Sequence, residues 1–493
     1  MSTDLQFCHR RAGAANRREF LQRAGAGFGM LALASLLGRD KLLAAAAAPG
    51  AGGLGLPGRP PAPGTNPFAP RAPHFEPRAR AVIWLFMEGG PSAVDLFDPK
   101  PELTRHHGQR PGSQIHTFFG RPGPLMRSPF AFAQHGRSGA WVTERLPHLA
   151  RMVDDLCFVR SCWSDSNNHA PALLQMNTGT PRPGLPSAGA WVNYGLGTGN
   201  SDLPGFVVMQ NANGTKGGPP NWGAGFLPSG YQGTTFRSGP SPILNLRPPA
   251  GVTPSAQRAM LDFAAELNRG HLASHAAASG TEGELLARIQ SYELAFAMQT
   301  AASDVADLAQ ETEATRRCYG LDRELTRPFG QKCLLARRLV ERGVRFVQVY
   351  CNDEWDAHGS ITTNHAPRCA ETDQPAAALL ADLKQRGMLE DTLVIWGGEF
   401  GRMPVSEQGQ GRDHNPEGFL VWMAGGGVKP GFSHGQTDEI GWRAAQNRVS
   451  VPDLHATILH LLGLDHERLT YLHNGRRFRL TDVSGDVIRE ILA

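Results

Sequence analysis

None of the seven cysteines in this 493-residue chain belongs to a CxxC pair, so neither a zinc ribbon nor a dithiol redox centre can be built from them. Cys8 falls in the leader described below. Cys157, Cys162, Cys318, Cys333, Cys351 and Cys369 are read as mostly free thiols, although one or two disulfides would be compatible with an oxidising compartment. An excess of one charge is also missing. The formal net charge is +4, and residues 1–48 carry that excess with seven Lys/Arg against three Asp/Glu, leaving the remainder neutral. A neutral domain has no electrostatic footprint for nucleic acid. Beyond residue 48 no stretch is long and apolar enough to span a bilayer, so the mature part is expected to be a soluble globular domain of about 440 residues.

What is present begins with an address. Asn16-Arg17-Arg18-Glu19-Phe20-Leu21 sets a twin arginine before apolar runs at Ala24–Leu37 and Ala44–Ala48. A basic start, a short apolar stretch and small residues make an export signal, and the paired arginines point to the bacterial twin-arginine route for folded cargo. Residues 1–48 are therefore read as that signal. The twin-arginine (Tat) export machinery is the expected partner, and the periplasm or cell surface the expected destination. Retention as an uncleaved anchor is the alternative, weakened by a run that is short and diluted with glycine. Residues 49–78 are rich in Pro, Gly and Ala and read as an extended linker.

From residue 79 to about 490 one grammar repeats. Ala81–Met87, Asp155–Val159, Phe206–Met209, Val344–Tyr350, Thr392–Trp396 and Phe419–Met423 are short apolar runs closed by turn residues. Such runs suit strands buried on both faces of a parallel sheet. Helical patterns stand between them at Gln331–Arg342, Pro375–Arg386 and Val451–Leu462. The alternation predicts an α/β three-layer sandwich with a mostly parallel central sheet. Residues from about 195 to 330, loop-rich and then helical, read as an insertion that caps or flanks the site. In such sheets ligands bind beyond the carboxyl ends of the strands. Glu88, Asp356 and Glu399 all fall there, on Gly-rich loops.

Three stretches concentrate acids and imidazoles: Trp355-Asp356-Ala357-His358-Gly359, Gly397-Gly398-Glu399-Phe400-Gly401-Arg402 and Gly411-Arg412-Asp413-His414. Mixed oxygen and nitrogen donors suit Zn²⁺ or Mn²⁺, with Ca²⁺ or Mg²⁺ as further options. Glu88 and Asp95 are weaker candidates, because carboxylates after a strand also cap helices. Arg160 and Arg402 could stabilise an oxyanion through forked hydrogen bonds. His455 and His460 sit in a helix and read as structural.

These motifs, with Phe86-Met87-Glu88-Gly89-Gly90-Pro91-Ser92, Asp95-Leu96-Phe97-Asp98-Pro99-Lys100, Asn168-His169-Ala170-Pro171-Ala172 and the tail from Asp453 to Leu464, resemble the exported bacterial family called domain of unknown function 1501. The resemblance runs from Arg17 almost to the C-terminus. The family is similar in architecture to the alkaline phosphatase and sulfatase superfamily, which cleaves phosphate or sulfate esters with one or two metals and a Ser, Thr or formylglycine nucleophile. The resemblance implies an alkaline phosphatase-like fold in which Asp356, His358 and His414 hold one metal, with Glu399 and Asp95 as further ligands and His365 as a fourth candidate. Phe400 stands where a second site would need an imidazole, so that site is altered or lost. No Cys, Ser or Thr stands at the expected nucleophile position. Ser164, Ser166, His169 and an activated water remain open for that role. The function implied is an exported metal-dependent hydrolase acting on a small-molecule or polysaccharide phosphate or sulfate ester. The alternative is a catalytically degenerate relative that binds a ligand or serves an envelope role.

Overall fold

The computed structural model describes residues 66–493 apart from 112–114, 119–120, 211–213, 238–242, 244–247, 249–250, 276–281 and 353. The export-signal reading and most of the linker reading lie outside those residues.

The chain first enters the sheet at β1 (Ala81–Phe86), all six residues of which are buried. Successive side chains on a strand point to opposite faces. Val82, Trp84 and Phe86 therefore enter one core layer, and Ala81, Ile83 and Leu85 the other. The remaining strands of the main sheet are β2 (Leu156–Trp163), β3 (Phe206–Met209), β4 (Thr234–Phe236), β5 (Phe346–Tyr350), β6 (Thr392–Gly397), β7 (Phe419–Ala424), β8 (Phe432–His434) and β9 (Val449–Ser450). Their order is β8-β2-β7-β6-β1-β5-β3-β4, with β9 also on β2. Every pairing is parallel except those of β7, which runs antiparallel to both β2 and β6.

Among the described residues the helices are α1 (Ala93–Leu96), α2 (His169–Thr178), α3 (Ala188–Leu196), α4 (Pro254–His275), α5 (Glu282–Ala306), α6 (Arg327–Glu341), α7 (Ile361–Gln385) and α8 (Val451–Leu461), besides two short ones at Pro101–Arg105 and Glu313–Cys318. Cys333, Leu334 and Leu339 of α6 and Leu379, Leu380 and Leu383 of α7 cover one face of the sheet. Leu173 and Met176 of α2, Trp191 of α3 and Leu454 and Ile458 of α8 cover the other. The result is the expected three-layer α/β sandwich. Helix α8 opens with a capping box between Ser450 and Asp453 and places Pro452 in its first turn, where the missing N–H costs nothing.

Three boundaries differ from expectation. Residues 66–78 are packed rather than a tether: Phe68 is buried, and the amides of Arg71, His74 and Arg78 donate to the carbonyls of Leu196, Gly463 and Leu461. The stretch 195–330 is only partly an insertion, since β3 and β4 extend the main sheet from within it. Helix α7 starts at Ile361 under a Ser360 cap, not at Pro375, and runs through two prolines. The burial of Ile361, Cys369 and Ala376 outweighs the hydrogen bond that an internal proline removes. Among the described residues no helix is long and apolar enough to cross a membrane. The six described cysteines are unpaired, and all but Cys318 are buried.

Strand direction decides where the candidate residues meet. β1, β5 and β6 end at one rim, delivering the loops of Glu88, Asp356 and Glu399. Because β7 is antiparallel, it is its beginning that reaches this rim, so His414, which precedes it, arrives beside them. β2 ends there too and leads through Ser164 to His169 at the start of α2.

Candidate metal centre

Asp356 is the hub. Its Oδ1 lies 3.0 Å from Nε2 of His358, 3.4 Å from Nε2 of His414 and 2.7 Å from the Arg402 guanidinium. Its Oδ2 lies 3.1 Å from Nε2 of His169. One donor atom from each of His169, Asp356, His358 and His414 falls within 4.8 Å of all the others. The structure thus brings together the expected Asp356, His358 and His414, and adds His169 as an equal member.

The outward nitrogens fix the imidazole tautomers. Nδ1 of His169 faces Oε1 of Glu399 at 2.6 Å. Nδ1 of His358 faces Glu407 at 2.5 Å, and Nδ1 of His414 faces the Asn167 carbonyl at 2.7 Å. A carboxylate or carbonyl only accepts, so each Nδ1 carries its proton and each Nε2 turns a lone pair inward. Metal-binding histidines are held in this way. The inward pairs are poorly satisfied by one another. Nε2 of His358 and Nε2 of His414 stand 2.9 Å apart, and the buried Nε2 of His169 lacks a hydrogen bond of adequate geometry despite its closeness to Asp356. Two facing lone pairs need a proton or a cation between them. Three imidazoles and one carboxylate are also a donor set that zinc accepts. The residues fit a divalent ion.

Without an ion, protons take its place. Burial would raise the Asp356 carboxyl, but the close imidazoles of His169, His358 and His414 and the Arg402 charge hold it well below the usual carboxylate range. The bond to Asp356 raises His358 against burial. Burial depresses His169, yet Asp356 and Glu399 together push it up. His414 is lowered, by burial first and then by the charges of Arg402 and His169.

Other expected site residues are placed elsewhere or in other roles. Glu399 is fully buried, and its two oxygens take the Gly89 N–H at 3.0 and 3.1 Å as well as His169; its carboxylate is committed to orienting that imidazole, outside the cluster of four. Asp95 forms a wholly buried ion pair with Arg412 at 2.7 Å and takes the Ser92 hydroxyl, which leaves it no role in the cluster. Arg402 is not an oxyanion clamp. Its guanidinium is spent on the carbonyls of Gly89, Gly90 and Arg412 and on Asp356, so it positions the hub. Arg160 pairs with Asp98 at 3.2 Å and bonds the Phe97 carbonyl. His365 accepts the Ser92 N–H at 3.0 Å, and burial drives it down to about 3; it is a neutral core residue. The hydroxyl of Ser164 is buried with no partner. Glu88 is fully buried, accepts the Lys216 N–H at 2.7 Å and is raised to about 7 by desolvation.

Phe400 has a use in place of ligation. Its ring packs against those of His169 and His414 at 4.9 and 4.5 Å, and Phe118 stacks on His414 at 5.7 Å. Apolar walls of this kind limit water and stiffen ligands. Two glycines let the loops close. A Cβ on Gly89, at φ +108°, would meet the Trp355 nitrogen at 2.4 Å, and one on Gly411 would sit 1.7 Å from the His358 carbonyl. Sequence reasoning missed Glu407, the Asn167 carbonyl and Lys216, whose Nζ lies 2.6 Å from Glu354 and 3.5 Å from Asp356.

A family model described as "Protein of unknown function (DUF1501)" matches residues 79–492. The chain belongs to the DUF1501 family. No curated protein matches this DUF1501 chain. Among solved structures it is similar to the lipoteichoic acid synthase LtaP from Listeria monocytogenes, at TM-score 0.37 and 9% identity over 83% of this chain and 76% of that one. It is also similar to the PsFucS1 sulfatase from Pseudoalteromonas sp., at TM-score 0.33 and 13% identity over 79% and 69%. A third likeness is to the phosphonate monoester hydrolase SpPMH from Silicibacter pomeroyi, at TM-score 0.35 and 11% identity over 70% and 71%. Likenesses this distant leave the chemistry of the DUF1501 chain to its own side chains.

Proposed function

We propose that this protein is an exported, metal-dependent hydrolase of phosphate or sulfate esters. One observation carries the reading: three imidazole Nε2 atoms and the Asp356 carboxylate converge at the sheet rim, with every outward nitrogen already committed to an acceptor. His169, Asp356, His358 and His414 would hold Zn²⁺ or Mn²⁺. A divalent ion in that place would supply Lewis acidity toward an ester oxygen and toward water. The chain's own residues do the rest. Glu399, Glu407 and the Asn167 carbonyl keep the imidazoles in the binding tautomer. Arg402 fixes the carboxylate. Phe400 and Phe118 shield the ligand rings. Asp356 and His358 keep about a quarter of their side-chain surface exposed, so a substrate has access from one side.

The twin arginine at Arg17-Arg18 supports passage through the Tat machinery and a periplasmic or cell-surface location. A small-molecule or polysaccharide ester fits that setting. Elemental analysis of purified protein, with turnover of nitrophenyl phosphate and sulfate in the presence of Zn²⁺ or Mn²⁺, tests the proposal. Wild type is expected to bind metal and turn over at least one ester, and His358→Ala and His414→Ala to lose both. A metal-free wild type would end the reading. The second reading is a binding protein without turnover. It is favoured by the place of His169 in the cluster, which speaks against a nucleophilic role, and bound metal without turnover of any ester would decide for it.

A further inference from the structure

We infer that Lys216 is the residue that recognises the anionic oxygens of the substrate, with Glu354 as the carboxylate that competes for it; this rests on the hydrolase reading of the same site. The first support is local architecture. The Lys216 N–H donates to Glu88, a fully buried carboxylate whose other oxygen has no partner. The Lys216 carbonyl accepts from Nδ2 of Asn221 at 2.9 Å, and Asn221 is itself fully buried and held by Asn177. Gly217 and Gly218, at φ +79° and +62°, turn the chain away at once. A lysine that served only to keep the surface polar would need no buried acid and buried amide to fix its backbone on both sides.

The second support is the charge balance. Among the described Lys and Arg residues two reach Asp356: Arg402, whose side chain is fully buried and bonded to carbonyls, and Lys216, which is one-third exposed. Of the two, it is Lys216 whose head group an incoming anion can meet. Its present partner Glu354 is likewise about one-third exposed, and water that reaches an ion pair screens it. A divalent ion on Asp356 would offset the carboxylate that now draws Lys216 inward. An ester oxyanion arriving beside the ion then finds an ammonium within reach, and exchange of Glu354 for the substrate costs little.

Titration of inorganic phosphate and of sulfate into the metal-loaded full-length protein tests this by calorimetry, independently of turnover. Lys216→Ala is expected to weaken binding about 10- to 100-fold, as loss of a charge-assisted hydrogen bond does, and Lys216→Arg to recover most of it. Glu354→Gln is expected to tighten binding several-fold, the opposite sign at a neighbouring, partly exposed position. Metal content and melting temperature should match wild type in all three. Equal affinity in Lys216→Ala, weaker binding in Glu354→Gln, or no phosphate binding by wild type would overturn the inference. Failure of the hydrolase reading would look different: phosphate bound in the predicted order, but no ester turned over.

Discussion

Glu399→Gln is expected to weaken metal binding about 10- to 100-fold, or roughly 1.4–2.7 kcal/mol, while the protein stays folded. The figure follows from what surrounds the carboxylate. Its neighbours at hydrogen-bond distance, the Gly89 N–H and Nδ1 of His169, both donate. A carboxylate satisfies the two together. An amide does so less well. With its oxygen in the Oε1 place it takes both donors but without the negative charge that strengthens the bond to Nδ1 of His169, and its NH₂ then stands against the Gly89 N–H, 3.1 Å away; the imidazole is held less firmly with its lone pair inward. Competition with a chromophoric chelator measures the affinity. The decisive comparison is with His169→Ala and the double variant. If Glu399 acts through His169, the double variant binds metal about as well as His169→Ala alone. Additive losses would mean that Glu399 touches the ion independently, and the assignment of its role would be wrong.

Asp95→Asn leaves the fully buried Arg412 without its counter-charge and should cost about 3–5 kcal/mol in urea unfolding, with metal bound per folded molecule unchanged. Gly411→Ala forces the His358 loop to move, since the new Cβ would overlap the His358 carbonyl; chelator competition should show a loss of affinity of about tenfold or more. His455 is lowered to about 4, chiefly by burial, with its bond to the Met176 carbonyl opposing. An unfolded histidine titrates near 6.5, so the unfolded chain gains this proton first as pH falls. Stability is intact above pH 6.5 and declines by about 3 kcal/mol on the way to pH 4. Urea midpoints at pH 7 and 4.5 should therefore converge in His455→Gln relative to wild type, and an unchanged pH slope would contradict the assignment.

Much of the sheet was legible because its strands are apolar on both faces, and burial on both faces leaves a continuous run with no polar punctuation. The rim location followed from strand direction. What the sequence concealed was partnership. Glu399 and Asp356 look alike in sequence, each an acid on a Gly-rich loop after a strand. Only the donors around them separate an orienting carboxylate from a binding one. Asp95 was misread because Arg412 lies 317 positions away. His169 was placed as a nucleophile or ligand, and its position among Asp356, His358 and His414 favours the ligand. Lys216 and its loop escaped notice in a stretch read as an insertion, since no strand or helix pattern announces them. Glu407 lies on the same hairpin as Arg412 and His414 but has no motif of its own.

The lone reversed strand β7 has a consequence for how the protein matures. Because one donor arrives from the beginning of a strand and others from the ends of strands, the four side chains meet only when β2, β5 and β7 all stand in the sheet. A nascent or half-assembled chain owns the four side chains but not the pocket. An ion bound there would be captured late and would act as a seal on finished molecules, stabilising the native state alone.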